Sequence, residues 1–244
     1  MSIWALADLH LAFGVPDKNM KIFGPQWVDY EEKIETNWRR LVSVEDLVLI
    51  PGDISWAMQL EEALIDLRWI DALPGTKLIL RGNHDYWWSS ASKLKKVIPP
   101  SIHFIHNNTF DWKEVSIGGS RLWDSTEYNF NRYVHFQENP KAQVKNYDDD
   151  EKIFNRELER LKLSLEQLSP KAKIRIALTH YPPIGADLQP SRASALLEKY
   201  KIDLCVFGHL HNLRKDQPLF GEARGVKYAL TACDYLDFIP LHVL

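Results

Sequence analysis

Over the first hundred or so residues, short apolar runs alternate with longer stretches whose apolar positions recur every three or four residues, the pattern of helices laid over a largely parallel sheet. Ile3–Ala7 predicts the first strand. Trp27, Tyr30, Ile34, Trp38 and Leu41 fall at helical spacing and predict a helix over about residues 27–42, with Leu47–Ile50 as a second strand. Leu60, Ala63, Leu64, Leu67 and Ile70 repeat the helical spacing until Pro74-Gly75 stops it, and Lys77–Leu80 predicts a third strand. Beyond Pro99-Pro100 the texture changes: Ile102–Ile105 and Glu114–Ile117, punctuated by Asn107-Asn108 and Gly118-Gly119, predict strands joined by turns, so the sheet becomes mixed. Asp148-Asp149-Asp150 stands ahead of a long helix running to about Leu168, its acids suited to the positive end of the helix dipole. Strands at Ile174–Leu178 and Leu204–Phe207, a short helix at Ser194–Tyr200, and strands near Val226–Thr231 and Phe238–Val243 complete the pattern.

This is the layout of an α/β protein with mixed sheets. No repeat, low-complexity tract or Pro/Gly/Ser linker divides it, so residues 1–244 are read as a single domain, with 45% apolar and 26% charged residues in the ordinary globular range. Lys and Arg number 30 against 33 Asp and Glu, and the net charge of −3 offers no basic excess for a nucleic-acid backbone. Cys205 and Cys233 stand in no metal-binding spacing and are expected to be reduced and buried. The apolar N-terminal run has no basic leader and is cut by Asp8 and His10, and no stretch of about 18 apolar residues occurs. Neither a signal peptide nor a membrane span is expected, which leaves the cytoplasm as the expected compartment.

Candidate chemistry gathers where the strands end. Asp8-Leu9-His10, Gly52-Asp53, Gly82-Asn83-His84-Asp85, Thr179-His180 and Gly208-His209-Leu210-His211 each follow a strand, and in open α/β sheets that carboxyl edge is where loops converge on ligands. These clusters hold five of the nine histidines. Shuffling the chain's own composition would give Gly-Asn-His-Asp in about 0.001 of sequences, whereas Asp-x-His alone is uninformative; the ordered conjunction carries the signal. Gly52, Gly82 and Gly208 suit sharp turns that present a side chain at a strand tip. The remaining histidines, His103, His106, His135 and His242, lie outside any motif and are read as surface or packing residues.

The donors Asp8, His10, Asp53, Asn83, His180, His209 and His211 supply imidazole nitrogen and carboxylate oxygen without thiolate, a set that suits Mn, Fe, Zn or Co better than Ca or Mg. They are too many for one small cation that must keep an open position, and divide well between two ions sharing a carboxylate.

In this order the D-x-H, G-D, G-N-H-D, H and G-H-x-H blocks resemble the calcineurin-like metallophosphoesterase superfamily, and Gly52-Asp53-Ile54-Ser55-Trp56 with Arg81-Gly82-Asn83-His84-Asp85-Tyr86-Trp87-Trp88 resembles a bacterial branch of predicted phosphohydrolases. The resemblance implies a four-layer sandwich, two mixed sheets flanked by helices. It implies that Asp8, His10, Asp53 and His211 bind one metal, and that Asp53 bridges to a second completed by Asn83, His180 and His209. Two divalent cations against Asp8, Asp53 and a bridging hydroxide leave about +1 to attract a phosphoester anion. The implied reaction is hydrolysis of a small phosphomonoester or phosphodiester by in-line attack of that hydroxide, with His84 as donor or general acid at the leaving group. Trp56 stands where the protein-phosphatase branch carries a second acid, which argues against a Ser/Thr protein phosphatase.

Several rim residues are candidates for substrate contact besides Asn83 and His84. Tyr181 follows a ligand position, and Trp56, Trp87, Trp88 and Trp123 fall in or near the same loops, with core packing as the plainer role for each tryptophan. Arg121 and Arg192 could clamp a phosphate bidentately, though an arginine so placed is more often an ordinary surface residue. The rival from another class is a catalytically silent scaffold of this fold used for protein binding, against which the filled ligand positions argue.

Overall fold

The computed structural model describes residues 1–18, 20–135, 147–216 and 219–244. β1 (Ile3–Ala5), β2 (Leu47–Pro51), β3 (Thr76–Leu80) and β4 (Ile102–Ile105) run parallel, and β11 (Leu241–His242) pairs antiparallel with β1, giving the order β11-β1-β2-β3-β4. The second sheet contains β5 (Phe110–Trp112), β6 (Val115–Ser120), β7 (Ile174–Thr179), β8 (Leu204–Phe207), β9 (Glu222–Ala223) and β10 (Val226–Leu230), ordered β5-β6-β7-β8-β10-β9. Its four inner strands are parallel and both edge strands antiparallel.

Strand alternation explains why these runs are apolar throughout. In β2, Leu47 and Leu49 face the second sheet while Val48 and Ile50 face helices; in β8, Leu204 and Val206 face the first sheet while Cys205 and Phe207 face the other way. The layer between the sheets is thus built from Ile3, Leu47, Leu49 and Leu78 against Ile117, Ile176, Leu178 and Val206. Helices α1 (Tyr30–Leu41), α2 (Leu60–Asp71) and α3 (Ala91–Val97) pack on the outer face of the first sheet through Ile34, Trp38, Leu67, Ile70 and Leu94. Helices α4 (Tyr147–Leu165) and α5 (Arg192–Lys199) cover the second through Phe154, Leu161, Leu165 and Leu197. The result is the four-layer sandwich of two mixed sheets flanked by helices.

Differences from the sequence reading are local. Trp27 lies in a separate single turn, Pro25–Trp27, because Asp29 adopts φ 53° and breaks the path into α1. The acids Asp148, Asp149 and Asp150 occupy the first turn of α4 instead of preceding it. α3 went unread because seven residues with one buried apolar position, Leu94, carry too little periodicity, although Ser90 caps it by accepting from Lys93. Pro240, which has no N–H to donate, confines the last strand to two residues.

Candidate metal centre

The loop after β1 runs beside the loop after β2, with the Asp8, His10 and Leu11 N–H groups donating to Gly52, Asp53 and Ile54 carbonyls at 3.0, 3.0 and 2.9 Å. Along this path Asp8, His10 and Asp53 take φ of 60°, 45° and 52°, and His209 takes 72°. Non-glycine residues rarely hold the left-handed region, and such strain concentrates at sites the surroundings force into shape. The close approach also fixes two glycines. A Cβ at Gly82 would overlap the Asp53 carboxylate and backbone nitrogen, and one at Gly208 would overlap the Asp8 carboxylate and the Ala7 methyl.

Seven side chains meet at this edge. His10 and His211, 201 positions apart, bring their Nε2 atoms within 3.2 Å. Asp53 Oδ2 stands 3.7 Å from His10 Nε2 and 3.4 Å from His180 Nε2. Asp8 Oδ1 lies 3.8 Å from His211 Nε2 and 3.9 Å from His180 Nδ1. Asn83 Oδ1 faces His180 Nε2 at 2.7 Å and His209 Nδ1 at 3.1 Å. Two donor groups of metal-holding size result, Asp8 with His10 and His211, and Asp8 with Asp53 and His180, each with ligand atoms within 4.8 Å of one another. Asp8, His10, Asp53 and His180 are almost wholly buried.

The electrostatics of this set suit cations. Burial raises Asp8 to about 7 and lowers His10 to about 3, leaving the His10 ring neutral with a free nitrogen lone pair. Burial opposes charge on His180 and His211 too, yet Asp53 lifts His180 to about 8 and Asp234 lifts His211 to about 9. A divalent ion at this edge would balance the carboxylates in place of charge on those two rings, and His10 and His209, both pushed down by burial, would serve as neutral ligands. The residues therefore fit a metal centre.

Three acids outside the candidate ligand set hold this edge together, two of which, Asp66 and Asp234, the sequence did not single out. Asp234 receives the His211 ring, with Oδ1 at 2.9 Å from Nδ1. Asp85, adjacent to His84, does not orient it: its carboxylate accepts the Ile54, Ser55 and Gly82 N–H groups at 2.9, 3.2 and 2.7 Å and the Trp87 indole at 3.0 Å. Asp66 of α2 accepts the Ser55 hydroxyl and, at 2.9 Å, the Phe13 N–H, anchoring both loops to that helix. Among the three, Asp85 alone lies in a motif.

Around the rim, the His84 N–H donates to Asp53 Oδ1 at 2.8 Å while its ring packs against Trp56, centroids 4.6 Å apart. Trp56 also stacks on His10 at 4.9 Å. Trp87 and Trp88 are buried in the core, whereas Trp123 lies under the Arg121 guanidinium at 4.4 Å. Tyr181 packs on the His209 ring at 3.9 Å and, with Trp123, lines a cleft of about 750 Å³ that opens beside His209. Arg192 is engaged by Glu127 and Glu151 at 3.1 and 2.6 Å and is no phosphate clamp. Arg121 faces Glu157 at 3.6 Å.

A family model described as calcineurin-like phosphoesterase matches residues 1–213. No curated protein matches the chain. Among solved structures, the phosphopantetheinyl hydrolase of Mycobacterium tuberculosis is similar at a TM-score of 0.58 and 16% identity, covering 100% of this chain and 95% of that one. GAP50, the anchor in the inner membrane complex of Plasmodium, is similar at 0.52 and 13%, covering 96% and 72%. A protein of unknown function from Aquifex aeolicus aligns at 0.48 and 18%, covering 99% and 95%. At such identities the two neighbours above a TM-score of 0.5 speak for the fold alone, and the family match, spanning the strands and loops that build this edge, settles kinship: the chain belongs to the calcineurin-like phosphoesterase family.

Proposed function

We propose that the chain hydrolyses a small phosphomonoester or phosphodiester with two divalent metal ions, and that its 244 residues act as one domain. The observation that carries this reading is the convergence of Asp8, His10, Asp53, Asn83, His180, His209 and His211 at one sheet edge in a family of phosphoesterases. Asp8, His10, Asp53 and His211 would hold one ion and Asp53, Asn83, His180 and His209 the other, with Asp53 between them. When bound, the ions supply an activated water and offset charge on the phosphoryl oxygens. His84, fixed by its backbone bond to Asp53 and by Trp56, presents its ring as hydrogen-bond donor to a phosphoryl or leaving-group oxygen. Tyr181, Trp56 and Arg121 bound the space available to the rest of the substrate. The cytoplasmic setting is supported by two buried, unbridged cysteines.

The test is to strip the protein with chelator, reload it with Mn, Zn or Fe, count bound metal and measure hydrolysis of p-nitrophenyl phosphate and bis-p-nitrophenyl phosphate. Two ions per chain with metal-restored turnover is the expected result, and Asp53→Asn should lose both ions together. Two bound ions with no hydrolysis of any ester would favour the protein-binding scaffold instead.

A further inference from the structure

Beside the candidate metal centre, the ends of β3, β4 and β6 and the middle of α4 enclose a cavity of about 50 Å³ lined by Arg81, His106, Arg121, Glu157 and Arg160. It lies at the carboxyl ends of β3, β4 and β6, apart from the β1, β2, β7 and β8 loops that carry most of the candidate ligands. Positive charge here outruns its counter-ions. A single carboxylate oxygen, Glu157 Oε1, meets Arg160 Nη1 at 2.9 Å, Arg121 Nη2 at 3.6 Å and Arg156 Nε at 3.9 Å. Arg81 adds a fourth guanidinium. Its Nε is buried without a hydrogen-bond partner, and among the described residues no carboxylate stands within ion-pair distance of it.

His106 points the same way. Its Nδ1 faces the Trp88 indole N–H at 3.3 Å and acts as acceptor, so the ring proton sits on Nε2, making His106 another donor. Buried guanidinium groups without partners cost free energy, and planar N–H forks match oxyanions in shape as well as charge. The pocket is open to solvent on one side, so an oxyanion can set some of its oxygens against the guanidinium groups while the rest stay in water, and the space within is too small for a sugar or a base.

We infer that Arg81, Arg121 and Arg160, with His106, form a binding site for a tetrahedral oxyanion, a phosphate- or sulfate-like group, beside the candidate metal centre. An occupant would sit on the backbone that carries the candidate ligands. Gly82-Asn83-His84 continues directly from Arg81, and the Arg121 carbonyl accepts the His180 and Tyr181 N–H groups at 3.1 and 2.9 Å. The anion comes either from a second phosphoryl group on the substrate, in which case the inference deepens the hydrolase reading and rests on it, or from free inorganic phosphate, in which case it stands alone.

The test uses metal-loaded protein and sodium sulfate as probe, at ionic strength held constant with sodium chloride. Sulfate in the millimolar range should raise the melting temperature saturably. Arg160→Gln should weaken the apparent sulfate affinity about tenfold, and Arg81→Met should remove the response, as expected for losing one or more charge-assisted hydrogen bonds. Arg160 is a half-exposed helix residue, so its variant tests the site even where Arg81→Met fails to fold. No saturable response in the wild type, or an equal response in the wild type and Arg160→Gln, overturns the inference. The source is read from inhibition of p-nitrophenyl phosphate hydrolysis by adenosine mono- and diphosphate. A substrate phosphoryl predicts at least about tenfold tighter inhibition by the diphosphate, with the advantage lost in Arg160→Gln. A free anion predicts equal inhibition alongside the sulfate response. A protein that hydrolyses no ester yet shows the sulfate response retains the oxyanion site and loses the hydrolase reading.

Discussion

Asp234 grips His211 from the side opposite the ring nitrogen that faces His10: Oδ1 lies 2.9 Å from Nδ1, and Oδ2 accepts the Asn212 N–H at 3.1 Å. The ring is thereby turned so that Nε2 faces His10 and Asp8. A carboxylate behind a ligating imidazole fixes its tautomer and orientation and raises its basicity, and losing one typically weakens metal binding 10–100-fold, roughly. Asp234→Ala should therefore lower Mn affinity by about that factor, measured by metal titration, with Asp234→Asn recovering part of it. Unchanged affinity in Asp234→Ala would show that the contact does not position His211.

His84 reaches Asp53 through its backbone N–H, which any residue supplies, while its ring is the part left to meet substrate. His84→Ala should keep both ions bound and reduce turnover about 100-fold or more. Full turnover in the variant would remove His84 from the reaction.

Asp85 ties the loop after β2 to the loop after β3 through four donors, the Ile54, Ser55 and Gly82 N–H groups and the Trp87 indole. Asp85→Ala strands these buried donors, and at about 1–3 kcal/mol for each unsatisfied group the fold should lose about 3 kcal/mol or more. Denaturant unfolding checks the value. A loss under about 1 kcal/mol would mean that water or rearrangement replaces the clamp.

Lys77 is fully buried on β3, its ammonium donating to the Leu73 carbonyl and, at 3.2 Å each, to the Asp71 carbonyl and Ser101 Oγ. Burial lowers it from 10.5 to about 8. Between those values the unfolded chain binds more protons than the folded one, so stability contributed at this site should rise as pH climbs from about 8 toward 10.5. The stability difference between wild type and Lys77→Met should shift in favour of the wild type between pH 8 and 10, measured by urea unfolding of both proteins. A flat difference would mean that Lys77 titrates normally.

The inner parallel strands and most of the helices were legible along the chain, because strands buried on both faces must be apolar throughout and helices over a sheet must repeat their apolar positions, whereas the two-sheet sandwich came from the family resemblance. Leu47–Pro51 and Leu204–Phe207 show this at its plainest, being buried at every residue. Elements of two or three residues, such as β5 and β9, have no period to read. The side chains that gather at the candidate metal edge were legible for a different reason: loops at strand ends keep them in short, glycine-marked blocks.

What the sequence by itself determined is the succession of strands and helices and the candidate donor residues, since both follow from local spacing; the layer order came from the family resemblance. What only the tertiary structure decided is which charges meet. Asp234 lies 23 positions from His211, and Arg81, His106, Arg121 and Arg160 share no spacing at all. They become neighbours because β3, β4 and β6 end at the same level beneath α4. Electrostatic partners depend on distance in space, and the chain order records that distance only within an element.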